Sequence, residues 1–157
     1  MLAKFEYLGI MLQDEGEAFN FISLELRKFF NPFSEYVLGY MFRLDDYRGD
    51  TPFYFLADIG GFDKLRGYEQ QRFLGNNSIL FQHDIRLPIW HNIGGAVFIA
   101  SGRVADKTSD LFSGTYHTGY GVGLRYFINK EDNLVLRFDM AFGSDSRGIY
   151  ITFSEAF

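Results

Sequence analysis

The sequence contains no cysteine, which excludes a disulfide framework and a thiolate metal site. It lacks a run of about 20 apolar residues, the length a transmembrane helix requires, so any crossing of a membrane would fall to strands. Positive charge is not in excess: 15 Lys and Arg against 20 Asp and Glu leave a net charge of −5. That gives no basic footprint for nucleic acid, and no nucleic-acid partner is expected. His83, His91 and His117 show no metal-ligand spacing, so neither a metal nor another cofactor is expected. A leader is also missing from Met1-Leu2-Ala3-Lys4-Phe5, which enters strand-like sequence at once. A protein bound for an outer membrane needs such a leader. The expectation is that it was removed or replaced by a starting Met, leaving a mature form or a fragment.

What is present is aromatic and alternating. Phe and Tyr number 19 and 10 against one Trp, an excess that suits the aromatic girdles of an outer-membrane barrel, while the mean hydropathy stays near zero at −0.08. Period-two alternation marks eight runs, roughly 3–11, 18–29, 35–45, 78–87, 92–102, 115–128, 133–143 and 148–157. In the seventh, Leu134, Leu136, Phe138, Met140 and Phe142 share one face, and Val135, Arg137, Asp139 and Ala141 share the other. In the last, Ile149, Ile151, Phe153 and Phe157 alternate with Tyr150, Thr152, Ser154 and Ala156. Phe153 and Phe157 are therefore expected to face lipid as a C-terminal membrane signal. The connections alternate too: about 30–34, 88–91 and 129–132 are short, whereas 44–77 and 103–114 on the opposite side are long, as in bacterial barrels. The predicted fold is all-β, a transmembrane antiparallel β-barrel of about eight strands. Residues 1–157 form a single domain with a long lumen or extracellular loop at about 45–77.

That loop carries Phe53, Tyr54, Phe55, Leu56 and Phe62 beside Gly60-Gly61, too apolar for a solvated tail. It also contains Leu65-Arg66-Gly67-Tyr68 and Gln71-Arg72-Phe73, followed by the strand Ile79–Pro88. Together with Gly94-Gly95-Ala96-Val97-Phe98, Gly121-Val122-Gly123-Leu124-Arg125 and the ending Ser154-Glu155-Ala156-Phe157, these motifs run from about residue 35 to the end. In order and spacing the chain resembles the BamA-type outer-membrane family, also called the bacterial surface antigen family. The resemblance implies a (Val/Leu)-Arg-Gly-(Phe/Tyr) loop tip folded back into the lumen, with its arginine on inward side chains of nearby strands. Two departures stand out. The family's Phe-x-Asp-x-Gly run reads Phe98-Ile99-Ala100-Ser101-Gly102 here, so Asp84 and Asp139, inward by alternation, are the candidate acceptors for Arg66. Family members typically have sixteen strands behind periplasmic POTRA domains, and this chain supplies eight strands and no such domain.

An eight-stranded barrel is just wide enough for its own side chains, so a folded loop of more than 30 residues does not fit inside one. Two copies would make sixteen strands and pair the edges that lipid cannot solvate. A homodimer is therefore expected, ahead of self-closure or a missing partner segment. Leu65, Arg66, Gly67 and Tyr68 are read as a loop lock with Phe98, Asp84 and Asp139 as its lumen partners, the competing reading being a solvated arginine in a surface turn. Glu25, Arg27, Arg43, Asp84, Arg86, Arg125, Arg137 and Asp139 form an inward set of mixed sign, a structural network more than a selectivity ring. Gly119, Gly121 and Gly123 are inward on one strand, where they make room for the loop or relieve curvature. The function implied by the resemblance is insertion or translocation of polypeptide, or of lipid, at a bacterial or organellar outer membrane, with membrane lipid and an unfolded polypeptide client as partners. The first strand, Lys4–Ile10, reads as a short edge that opens and templates incoming strands. The alternative is a structural or passive-pore barrel. Third comes a lipid-modifying enzyme, for which His117 with Ser113 or Ser101 is the one combination available; the first two readings involve no catalysis.

Overall fold

The computed structural model describes residues 2–11, 18–33, 35–129, 134–153 and 155–157. Ser34, Ser154 and the connections at 12–17 and 130–133 lie outside the described residues. Among the described residues ten strands follow in chain order: β1 (Leu2–Met11), β2 (Ala18–Phe30), β3 (Val37–Gly49), β4 (Ala57–Asp58), β5 (Leu74–Gly75), β6 (Asn77–Trp90), β7 (Ile93–Ala105), β8 (His117–Asn129), β9 (Leu134–Phe142) and β10 (Arg147–Phe153). The eight long ones build one antiparallel sheet in the order β1-β2-β3-β6-β7-β8-β9-β10, so each predicted run has become a strand beside its predicted neighbours. β4 and β5 pair with each other inside the long loop. No helix among the described residues is long and apolar enough to cross a membrane.

The strands take their faces from the alternation of the sequence. On one face Phe81, Ile85, Val97, Ile99, Tyr120, Val122, Leu124, Tyr126, Phe138, Met140, Ile149, Ile151 and Phe153 are exposed. On the other, Ser23, Glu25, Asp45, Gln82, Asp84, Arg125, Arg137 and Asp139 are buried. The sheet is thus inverted relative to a water-soluble protein, with charge inside and aromatic and branched side chains outside.

It is also strongly curved. β6 and β9 stand three places apart, about 14 Å on a flat sheet. A single guanidinium, that of Arg66, nevertheless touches a carboxylate from each. Curvature does not complete a barrel, however. Among the described residues no ladder joins β1 to β10, so the one-chain sheet is open at both edges and the predicted barrel is not closed.

Two details depart from expectation. The last strand ends at Phe153, and Phe157 turns under the sheet instead of sharing the outer face of Ile149 and Ile151. Phe157 is 8% exposed against 69% for Phe153. The cause lies in Glu155, whose two carboxylate oxygens accept from Arg125 Nε at 3.1 and 3.0 Å and draw the segment inward. Phe157 then rests on Phe29, and its carbonyl accepts from Arg86 Nη2 at 3.1 Å. The second departure concerns the edges. β1 is not short: ten residues pair with β2 in unbroken register, whereas β10 has seven. Gly9 does not interrupt the ladder, so β10 is the shorter edge.

Candidate functional site

The long connection between β3 and β6 is folded onto the concave face, and its construction follows from a few residues. A 3-10 turn at Phe53–Phe55 leads into the β4–β5 pair, and a parallel bridge from Gly60 to Leu65 closes the tip. Ile59, Leu65 and Tyr68 are buried with Met41, Leu80, Ala100 and Phe157, which makes the main apolar core a layer between loop and sheet. Gly67 sits at φ +100°, a conformation glycine adopts at no steric cost. A Cβ there would also lie 2.7 Å from the carbonyl carbon of Phe142.

Arg66 lies at the centre of the site and has no exposed surface. Its Nη2 donates to Asp84 Oδ1 at 2.6 Å and its Nη1 to Asp139 Oδ2 at 2.9 Å. The guanidinium carbon is 3.4 Å from the centroid of Phe98, so the planar cation lies on the ring while carboxylates hold both sides. The strand register explains the grouping: Asp84 faces Phe98 across β6–β7, and Phe98 faces Gly121 across β7–β8. Ala100, where the resembled family has aspartate, belongs instead to the apolar layer beneath Ile59 and Leu65. The acceptors of Arg66 are Asp84 on β6 and Asp139 on β9.

The rest of the tip is fastened by backbone and hydroxyl groups. Gly67 N donates to Tyr150 Oη at 3.0 Å, and Ser146 Oγ donates to the Gly67 carbonyl at 2.5 Å. Tyr68 Oη donates to the Thr118 carbonyl at 3.1 Å and accepts from Ser144 N at 2.9 Å. Gln82 Nε2 and Arg137 Nη2 donate to the loop carbonyls of Asp63 and Phe62 at 2.8 and 2.9 Å. These anchors on β8, β10 and the β9–β10 turn were missed in the sequence, because hydroxyls and backbone amides carry no periodic signal. Gly119 and Gly123 act as room. A Cβ on Gly119 would lie 2.1 Å from the Arg66 carbonyl oxygen, and one on Gly123 would meet Asp139 Oδ1 at 2.1 Å.

Asp139 is shared. It also accepts from Arg125 Nη1 at 2.5 Å and lies 3.4 Å from Arg137 Nε. The inward set therefore divides into two networks. Arg66, Arg86, Arg125 and Arg137 surround Asp84, Asp139 and Glu155. Nearer β1, Arg43 joins Glu25 and Asp45, Arg27 pairs with Glu25 at 2.7 Å, and Ser23 and Ser78 donate to Asp45. Asp45 was not in the expected set; the alternation that places Arg43 inward reaches it two residues on.

His117 and Ser101 are not brought together. His117 faces inward and stacks on Phe73, with centroids 3.8 Å apart, while Ser101 is on the other side of the sheet beside Thr118. His83 faces outward, stacked on Tyr40 with its Nδ1 3.0 Å from the Gly39 carbonyl oxygen. The site is a plug held by buried charge, an arrangement that fixes a loop in position. The sequence matches no protein-family model and aligns with no curated protein.

Proposed function

We propose that the chain is one half of an outer-membrane β-barrel that inserts or translocates polypeptide, or lipid, as its resemblance to the BamA-type family implies. The observation that carries the membrane reading is the inverted polarity: apolar side chains across the convex face of β6 to β10, buried carboxylates and guanidiniums across the concave one. An exposed apolar face of this extent is stable in hydrocarbon and a liability in water. Two open edges support the pairing of β10 with β1 of a second copy, since unpaired strand edges are not tolerated in lipid. The same seam supplies the mechanism. Its weaker side is β10, with seven residues, and parting it exposes an edge on which an incoming strand can pair.

One observation favours a second reading, a closed structural barrel: the loop tip is bonded to β6, β8, β9 and β10 and occupies the concave face. A cysteine tether separates the two, and the cysteine-free sequence makes an introduced pair unique. One cysteine is placed on β1 and one on β10, and the oxidised protein is compared with the reduced in a client-insertion assay. A covalent dimer near twice 18.2 kDa is expected, with insertion lost on oxidation and regained on reduction. Insertion that survives the tether excludes the opening seam, and a crosslink confined to single chains excludes the two-copy barrel.

A further inference from the structure

Arg125, Arg137 and Thr152 occupy directly opposed positions on β8, β9 and β10 and face the concave side. Two arginines facing each other across a ladder repel unless an anion stands between them. Asp139 fills that role for part of each guanidinium, but it also serves Arg66. Four guanidiniums, those of Arg66, Arg86, Arg125 and Arg137, share three side-chain carboxylates, Asp84, Asp139 and Glu155.

The donors left without a hydrogen bond are localised. Arg125 and Arg137 are each 1% exposed, yet Arg125 Nη2 and both Nε and Nη1 of Arg137 make no hydrogen bond. Thr152 Oγ1, next in the same row, is likewise buried without a partner. Leaving such groups unmatched is costly, about 1–3 kcal/mol for a neutral group and more for a charged one. Arg125, the β8 member of the row, also lines a cavity of 980 Å³ with Arg86, Glu35, Glu155, His91 and Trp90, which opens beside the β6–β7 turn.

We propose that the row Arg125–Arg137–Thr152 is an oxyanion site that takes a phosphate or carboxylate group entering from this cavity. The two guanidiniums supply charge and planar forks, and the threonine hydroxyl donates a third hydrogen bond. Such a site lies on the concave face beside the edge strand β10. There it meets the phosphate of a lipid or small solute, or the terminal carboxylate of a polypeptide.

The test titrates folded protein in detergent by calorimetry with three probes: inorganic phosphate, a short peptide with a free C-terminus, and the same peptide amidated. Thr152→Val removes a hydroxyl that bonds nothing in the protein, so the fold is kept. Arg137→Gln removes one fork, and a melting curve reports whether the sheet survives. Saturable binding of phosphate, or of the free peptide and not the amide, is expected. It weakens about tenfold in Thr152→Val, the loss of one hydrogen bond to a charged group. The probe that binds identifies the source. Equal affinity in the wild type and Thr152→Val means an adventitious ion only and overturns the site, as does absence of binding by all probes. If Arg137→Gln fails to fold, Thr152→Val decides alone.

Discussion

A single arginine joins the loop to the sheet, and its environment makes the consequence of removing it calculable. Arg66 has two charge-assisted hydrogen bonds at 2.9 and 2.6 Å and a ring beneath it, all without solvent access. Arg66→Ala leaves Asp84 and Asp139 beside each other with less compensation, and breaking a buried pair in this way costs about 3–5 kcal/mol. Arg66→Lys is expected to recover little, because an ammonium has no planar fork to reach both carboxylates while lying on Phe98. Urea titration of the folded protein in detergent measures both; a midpoint unchanged in Arg66→Ala would show that the loop is not anchored here. The choice of acceptors was legible in the sequence. With alanine at position 100, where the resembled family has aspartate, alternation left Asp84 and Asp139 as inward carboxylates. The aromatic partner was legible as well, since Phe98 lies in the same motif as Ala100. The sharing of Asp139 with Arg125 and Arg137 was not legible, because it depends on how tightly the sheet curves across β8 and β9.

At the scale of elements, strands were readable because each long strand separates two environments and so carries a period-two signal. Their ends were less so. β3 runs to Gly49 rather than residue 45, since Asp45 and Asp46 look like a loop until their hydrogen bonds to Ser23, Ser78 and Arg48 are known. Phe157 was assigned to the outer face for a similar reason: alternation was continued past a strand that Glu155 had ended. The loop's shape rests on glycines whose roles differ and can be separated. Gly61 and Gly67 both have positive φ, at +118° and +100°. A Cβ on Gly61 has its nearest neighbour at 3.7 Å, whereas one on Gly67 meets Phe142 at 2.7 Å. Gly61→Ala should therefore cost only the backbone strain, about 1–3 kcal/mol. Gly67→Ala should cost that and lift the tip from β9 as well, freeing the Ser146–Gly67 contact. Limited proteolysis at Arg66 and Arg72 reads the difference, with faster cleavage expected in Gly67→Ala alone. Equal cleavage in both variants would mean that close approach to Phe142 does not hold the tip.

The whole molecule is a curved sheet with a plug, and the size of the space around that plug decides what the assembly is. An eight-stranded barrel fills its interior with its own side chains, while one of about sixteen strands leaves an aqueous channel unless something occupies it. In the proposed two-copy barrel each loop, fastened by Arg66, Tyr68 and the Gly67 carbonyl, fills half of that channel. Replacing residues 51–75 by a two-residue turn joins β3 directly to β6, which are already neighbours in the sheet with ten paired positions. The strands should still assemble, because the outer apolar face and the ladders are untouched. The arginines and carboxylates of the concave face would then line water. In planar bilayers the intact protein is expected to conduct little, and the loop-less variant to show discrete openings of the size that water-filled sixteen-stranded barrels give. If the variant folds and inserts but stays silent, the lumen has no room for the plug to fill, and a closed one-chain barrel with its loop displaced outward replaces the two-copy arrangement.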